Sequence, residues 1–485
     1  MSSDPARGSA PAGDTPGRLS SEWQAFTARA PRLLRRLIIV VLVVFVICAV
    51  PWTYANIKYG NEVEAELQRI RDAAEPLSEV EAAPKPVPDD QNAAILYMQV
   101  LHVSFDGSQP ANPGKLTFGV LSYQENELLK AYVEDPEATD AAAVRAILAR
   151  AEVREVLAVF ERGSRMPYCV FPVHWEEGFG ALFPHMAQLR DAARLIGAQV
   201  QVLAANGRMD EAMHWSDVAL RMSVQVSSEP SMIAQLVAYA VQAIALQATE
   251  HALDQGAPSP AVAKQLADYA ASIDLQAPFH RGLLMERASD ISIFEAVASD
   301  PAQLHALLSD EPPSLWVGVY ASPIALPLRR FDEAECLRYW RWALPLMDKP
   351  YRLTRGGGSE QEEWLNATPR LAVLTQILYP VFARARAKRD GSIARLDELR
   401  VALELKEYRR AWGSYPKSLD ALAQTPGWAI PEDVFAGRPF HYRRQGEGFV
   451  LWSIGPDLED DGGIPPKPRS DLERDEADIV WTCTR

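Results

Sequence analysis

Residues 186–206 read MAQLRDAARLIGAQVQVLAAN, and their spacing decides the fold. Leu189, Ala193, Ile196, Val200 and Leu203 recur every three or four positions, which places them on one face of a helix. Gly207 stops that helix, because glycine accepts the left-handed conformation that a helix end commonly needs. Met209 to Val226 then gives a second helix, carrying Ala212, Trp215, Ala219 and Met222. Ser231–Leu253 and Pro260–Ile273 supply a third and a fourth. Long helices joined by short loops pack as antiparallel hairpins. The stretch 91–388 is therefore expected to be a mainly α, helical extracytoplasmic domain.

The turn Asn206-Gly-Arg-Met-Asp-Glu-Ala212 resembles the inter-helix turn of tetratricopeptide repeats. No 34-residue period follows it, so the body is only weakly TPR-like and generic hairpin packing is expected. Upstream, residues 61–75 read as a short helix with Val63, Leu67 and Ile70 apolar. Ala83-Pro-Lys-Pro-Val-Pro-Asp-Asp90 is an extended linker, since proline disfavours helix at the residue before it. Asp90 is the expected N-cap of a helix from Asn92 to about Val103. Downstream, residues 354–363 contain three consecutive glycines and mark a break. Leu371–Leu378 is apolar but too short to span a bilayer, and is expected to pack on the body. A long helix should follow over Ala383–Trp412, softened near Asp390-Gly391.

Leu37 to Ala55 reads LIIVVLVVFVICAVPWTYA, nineteen residues without a charge and close to the length of a transmembrane helix. Arg29, Arg32, Arg35 and Arg36 precede it, while Lys58 and then acidic residues follow. That asymmetry predicts a single-pass membrane protein, with residues 1–36 a disordered cytoplasmic tail and the bulk of the chain on the far side of the membrane, which for a bacterial inner membrane is the periplasm. Trp52, Tyr54 and Tyr59 would mark the outer interface, and residues 56–90 a stalk. The rival reading is a signal peptide, against which stand the long leader and the poor cleavage sequence Thr53-Tyr54-Ala55. The net charge of −15 argues against nucleic acid as a partner, since phosphate neutralisation needs clustered Lys and Arg. Four cysteines with no metal-type spacing allow one disulfide without choosing a pair.

In the last hundred residues the pattern changes. Residues 393–412 form an amphipathic helix, Tyr415-Pro416 turns the chain, and Ser418 caps a short Leu419–Ala423 helix. Pro439–Arg444 and Phe449–Ile454 read as strands around Gln445-Gly-Glu-Gly448, with Ile479–Thr482 the last strand. Between Asp457 and Asp478 lie nine carboxylates, counting both ends. Such a loop suits a hard cation, which takes six to eight oxygens from carboxylates and carbonyls. Asp457-x-Glu459-x-Asp461-Gly462 begins like an EF-hand, but Pro468 stands where the bidentate glutamate is required. A solvated acidic loop that binds nothing is the alternative.

This order of helix, Tyr-Pro, strand, Gly-rich turn, strand, Gly455-Pro-Asp457, acidic loop and Asp478-Ile-Val-Trp481 resembles the globular C-terminal domain of type II secretion major pseudopilins. The resemblance covers about residues 392–485, within a small α+β domain expected over 389–485. It implies a structural calcium site with Asp457 and Asp478 as ligands, Leu451 and Ser453 as carbonyl donors, and Asp461 and Asp475 as further candidates. The prepilin peptidase site of that family is absent before the apolar helix, which argues against polymerisation into a fibre. The whole chain looks like membrane-anchored bacterial envelope proteins, which implies placement rather than activity.

Chemistry elsewhere is sparse. His174-Trp-Glu-Glu177 with His185 could ligate zinc across a turn, the basis for an alternative reading as a membrane-anchored, metal-dependent hydrolase, but it lacks the i, i+4 spacing of zinc hydrolases. Arg338-Tyr-Trp-Arg-Trp342 could bind a partner or sugar, yet a helix face packing Trp inward is expected. No nucleophile elbow or phosphate loop occurs. The expected role is therefore interaction or assembly with protein partners in the cell envelope.

Overall fold

A single helix, α1, runs from Gly17 to Asp72 in the computed structural model, which describes residues 17–105, 116–299, 318–320, 322–354, 367–378, 382–424, 428–464 and 477–484. Two expectations are corrected here. From Gly17 onward the tail expected to be disordered is helical, and no break separates the apolar stretch from the helix read at 61–75. The cause lies in packing. Leu37 to Ile47 are each half or more exposed, whereas Val63 and Ile70 of the same helix are buried against Ile291, Ala334 and Leu337. Gly60 permits the close approach, for a Cβ there would lie 2.7 Å from an Arg330 nitrogen.

After α1 come α2 (Glu79–Ala82) and α3 (Ala93–Tyr97). The cap of α3 is Asn92, not Asp90, which falls in a 3-10 turn. Asn92 wins because it is also held from afar: it donates to the Val170 carbonyl and accepts the Val170 amide, both at 2.9 Å. The helix stops at Tyr97 rather than near Val103. A short ribbon, β1 (Leu116–Thr117) and β2 (Leu121–Ser122), leads into α4 (Tyr123–Glu134) through a capping box of Ser122 and Glu125. α5 (Ala141–Ala149) and α6 (Ala151–Ser164) follow.

The central hairpin forms as its periodicity predicts. α7 (His185–Ala205) and α8 (Met209–Ser227) meet at Gly207, whose φ of +74° supplies the left-handed turn. α9 (Met232–Gln255), capped by Ser231, lies against both. Its apolar window is long enough to cross a bilayer, but 61% of that window is buried, as suits a core helix. α10 (Pro260–Ser272), α11 (Gln276–Ser299) and α12 (Leu326–Met347) extend the body. α13 (Val373–Leu378) packs on α12 as expected, with the amides of Leu374 and Thr375 donating to the buried Asp332 at 2.8 and 3.0 Å. The glycine-rich break at 355–363 lies outside the described residues.

α14 (Phe382–Trp412) is continuous through Asp390-Gly391, where softening was expected. There Asp390 is sealed, bonded to Arg389 and to the Tyr351 amide. The helix thus crosses the position expected to divide the body from the terminal domain. Beyond it, β3 (Glu432–Asp433) and β4 (Arg438–Pro439) form a ribbon. β5 (His441–Gln445), β6 (Gly448–Ser453) and β7 (Ile479–Cys483) form an antiparallel sheet in that order. Central β6 is buried at every position. Arg395 of α14 ties the sheet to the body, donating to the Val480 carbonyl at 3.0 Å and to Glu250 of α9 at 2.8 Å. The architecture is mainly α with a small terminal sheet. Cys169, Cys336 and Cys483 are buried and none forms a disulfide.

Candidate functional site

The strand register brings part of the expected cation site together. Leu451 and Ser453 lie on β6, opposite Trp481 and Ile479 of β7. The Ser453 hydroxyl donates to Asp433 at 2.7 Å, and Asp433 also accepts the amides of Phe435 and Ile454. Asp433 is thus a buried hub under the loop, one that the sequence did not single out. Burial raises its carboxyl above the usual range, and the Ser453 bond partly offsets this.

Asp457 and Asp461 stand at the edge of the loop. Asp457 accepts the Glu459 amide at 3.1 Å, a local Asx turn, and Asp461 is exposed. Asp475 lies outside the described residues. Asp478 differs from both because it is buried. One of its oxygens accepts the Gly463 amide at 2.8 Å, while the other has no hydrogen-bond partner among the described residues. Burial raises its carboxyl, the Gly463 and Asp461 amides oppose that shift, and the charges of Asp460 and Asp461 add to it.

Asp460 is the second residue that sequence reasoning missed. It accepts the Trp452 indole N–H at 2.9 Å and the Gly462 amide at 3.0 Å, and lies 3.2 Å from a His441 ring nitrogen. The Trp452 bond leads the causes that lower its carboxyl. A signal existed, because His441 and Trp452 are cross-strand partners and share one face of the sheet. Among the described residues, no three His, Cys, Asp or Glu side chains gather as a metal-holding group. Asp478 keeps one buried oxygen open among the described residues and feels the charges of Asp460 and Asp461. Asp460 is already engaged by Trp452 and His441.

The histidines of the alternative reading take different partners. His174 is partly exposed and pairs with Glu176 at 3.1 Å. His185 is sealed, lies 3.0 Å from Glu229 and stacks on Phe171 at 4.0 Å between centroids. Glu177 is exposed and joins neither pair. Cys169 is also buried, and burial pushes its thiol up, away from the reactive thiolate. A cavity of about 300 Å³ between α1, α11 and α12 is lined by Gly60, Val63, Phe294, Arg330 and Glu333, and by none of these groups.

Residues 338–342 divide their work between two surfaces. Tyr339 and Trp340 are buried, and the Trp340 indole donates to Asp290 at 2.6 Å. Arg338 and Arg341 instead meet α1, pairing with Glu62 at 2.5 Å and Glu66 at 2.8 Å. Arg330 donates to the carbonyl and side-chain oxygen of Asn56, Tyr59 packs edge-on against Phe331, and the Trp52 indole donates to the Ile324 carbonyl at 2.7 Å. The upper half of α1 is therefore clamped along α12.

The chain matches no protein-family model, and no curated protein or solved structure matches it.

Proposed function

We propose that this chain is a single-pass protein of the bacterial inner membrane, N-terminus in the cytoplasm, which holds a helical body in the periplasm for interaction or assembly with envelope proteins. Its terminal domain is read as pseudopilin-like, in a type II secretion-like system, with a calcium-binding loop that staples the last strand to the sheet. The observation that carries this reading is the division of α1. Its apolar half is bare, and its polar half is fixed to the body by Arg330, Arg338 and Arg341. A helix exposing eleven successive apolar side chains from Leu37 to Ile47 needs a nonpolar surround. The same rigid helix then sets where the body stands.

For the loop, Asp478 would hold calcium, with Asp461 beside it, and the ion would supply only charge compensation. No geometry favours the hydrolase, because His174 and His185 are committed to separate carboxylates. Two measurements test the main reading. A C-terminal alkaline phosphatase fusion should be active and a C-terminal green fluorescent protein fusion exported through the general secretory route should be dark; the reverse pair refutes the orientation. Crosslinking in intact cells should then recover secretion-machine subunits with the full chain, and recovery of none refutes the assembly role.

A further inference from the structure

We infer that Val319 and Ile324 form a second contact with the bilayer, seating the body on the membrane surface beside its own anchor. The inference rests on reading Leu37–Ala55 as the membrane span. The two residues lie just before α12 and are exposed, Val319 at 59% and Ile324 at 78%, while their chain neighbours Tyr320 and Ala325 are buried. Among the described residues, no packing within the body accounts for this exposed apolar pair.

Its height along the anchor identifies the occupant. The Trp52 indole donates to the Ile324 carbonyl, and Trp52 lies three residues before the end of the apolar run. At 1.5 Å rise per residue that is about 4.5 Å below Ala55, the last residue of that run. Helical side chains lean toward the N-terminus, so the Trp52 ring reaches further toward the membrane, and Ile324 is held there with it. This is the layer that tryptophan favours at a bilayer surface. Tyr54 and Ile57, exposed at 69% and 57%, continue the same apolar rim on α1. The residues beside the pair are held: Arg329 donates to the carbonyls of Tyr320 and Ser322, at 2.5 and 2.8 Å, and the Tyr320 hydroxyl donates to Asp332 at 2.6 Å. A fixed apolar point at interface depth, next to a span, meets lipid before it meets any other molecule.

Lipid photolabelling of the full chain in nanodiscs of phosphatidylethanolamine and phosphatidylglycerol tests this. p-Benzoylphenylalanine replaces Ile324, Ile47 or Val80 in turn. All three are exposed, so the core is untouched. Val80 follows the end of α1, whose last residue stands about 25 Å above Ala55. After irradiation, mass spectrometry should find lipid adducts at Ile47 and Ile324 and none at Val80. Adducts at Ile47 without any at Ile324 overturn the inference and leave the anchor intact. A crosslinked dimer through Ile324 in place of lipid also overturns it. Absence of adducts at Ile47 refutes the anchor itself.

Discussion

Asp390 in the helical body and Asp478 at the terminal sheet are both nearly sealed, at 0% and 2% exposure, yet their charges are met in different ways. Asp390 is fully served. Its oxygens take the Arg389 guanidinium at 2.7 Å and the Tyr351 amide at 2.6 Å. Arg389 in turn donates to the carbonyls of Met347 and Lys349 and lies over the Phe279 ring. Asp478 accepts the Gly463 amide, keeps one oxygen open among the described residues, and feels the charges of Asp460 and Asp461. A buried carboxylate needs a cation, a proton or a metal. The body supplies the first internally. Asp290 relies on the second, because its neighbours are the neutral donors Trp340 and Cys336 and the acid Glu286.

The largest expected effect comes from breaking the compensated pair. Arg389→Ala leaves Asp390 buried and uncompensated, and should destabilise the full chain by about 3–5 kcal/mol. Denaturant unfolding in detergent, read by tryptophan fluorescence, measures it. A loss under about 1 kcal/mol would mean that the pair behaves like a surface ion pair, and the contrast with Asp478 would collapse.

Asp290 gives the next effect, through pH. Burial pushes its carboxyl up to about 8, with the Glu286 charge adding and the Trp340 and Cys336 bonds opposing. The folded chain therefore keeps this proton longer than the unfolded chain, whose aspartates titrate near about 3.9. Stability from this group is complete below that lower value and falls as pH rises toward about 8, by at most about 1.4 kcal/mol per pH unit. Glu333, raised by burial and by Glu295 to about 7, acts in the same direction. Unfolding curves across this range should show the decline, and Asp290→Asn should reduce it, leaving the part that Glu333 carries. A variant that kept the full slope would place the proton elsewhere.

What the sequence disclosed follows the range of the interactions involved. α7 and α8 were legible because each carries its own apolar face, and Gly207 ends the first. β5, β6 and β7 were legible through short apolar runs and a local Gly-rich turn. The continuity of α1 was not, because its partners are remote: Arg341 is 275 positions from Glu66. The Asn92 cap was missed for the same reason, since Val170 is 78 positions away. At the candidate site, Asp478 is legible, with Asp457, through the resemblance of the terminal motifs to pseudopilins. That one of its oxygens remains open depends on where the loop folds the Gly463 amide, which no local pattern encodes.

The smallest effect is the one that most sharpens the comparison. If Asp478 is completed by calcium, a concentration tenfold above Kd stabilises the fold by about 1.4 kcal/mol through mass action. The full chain should melt higher in calcium than in chelator, and Asp478→Asn should remove that difference. In chelator the same substitution should leave stability unchanged or raise it, because it removes a desolvated charge, whereas Arg389→Ala lowers stability under every condition. The calcium response should also fade on acidification. Burial raises Asp478, so protons compete with the ion for this carboxylate as the pH falls. A calcium shift that survived Asp478→Asn would assign the ion to another part of the loop.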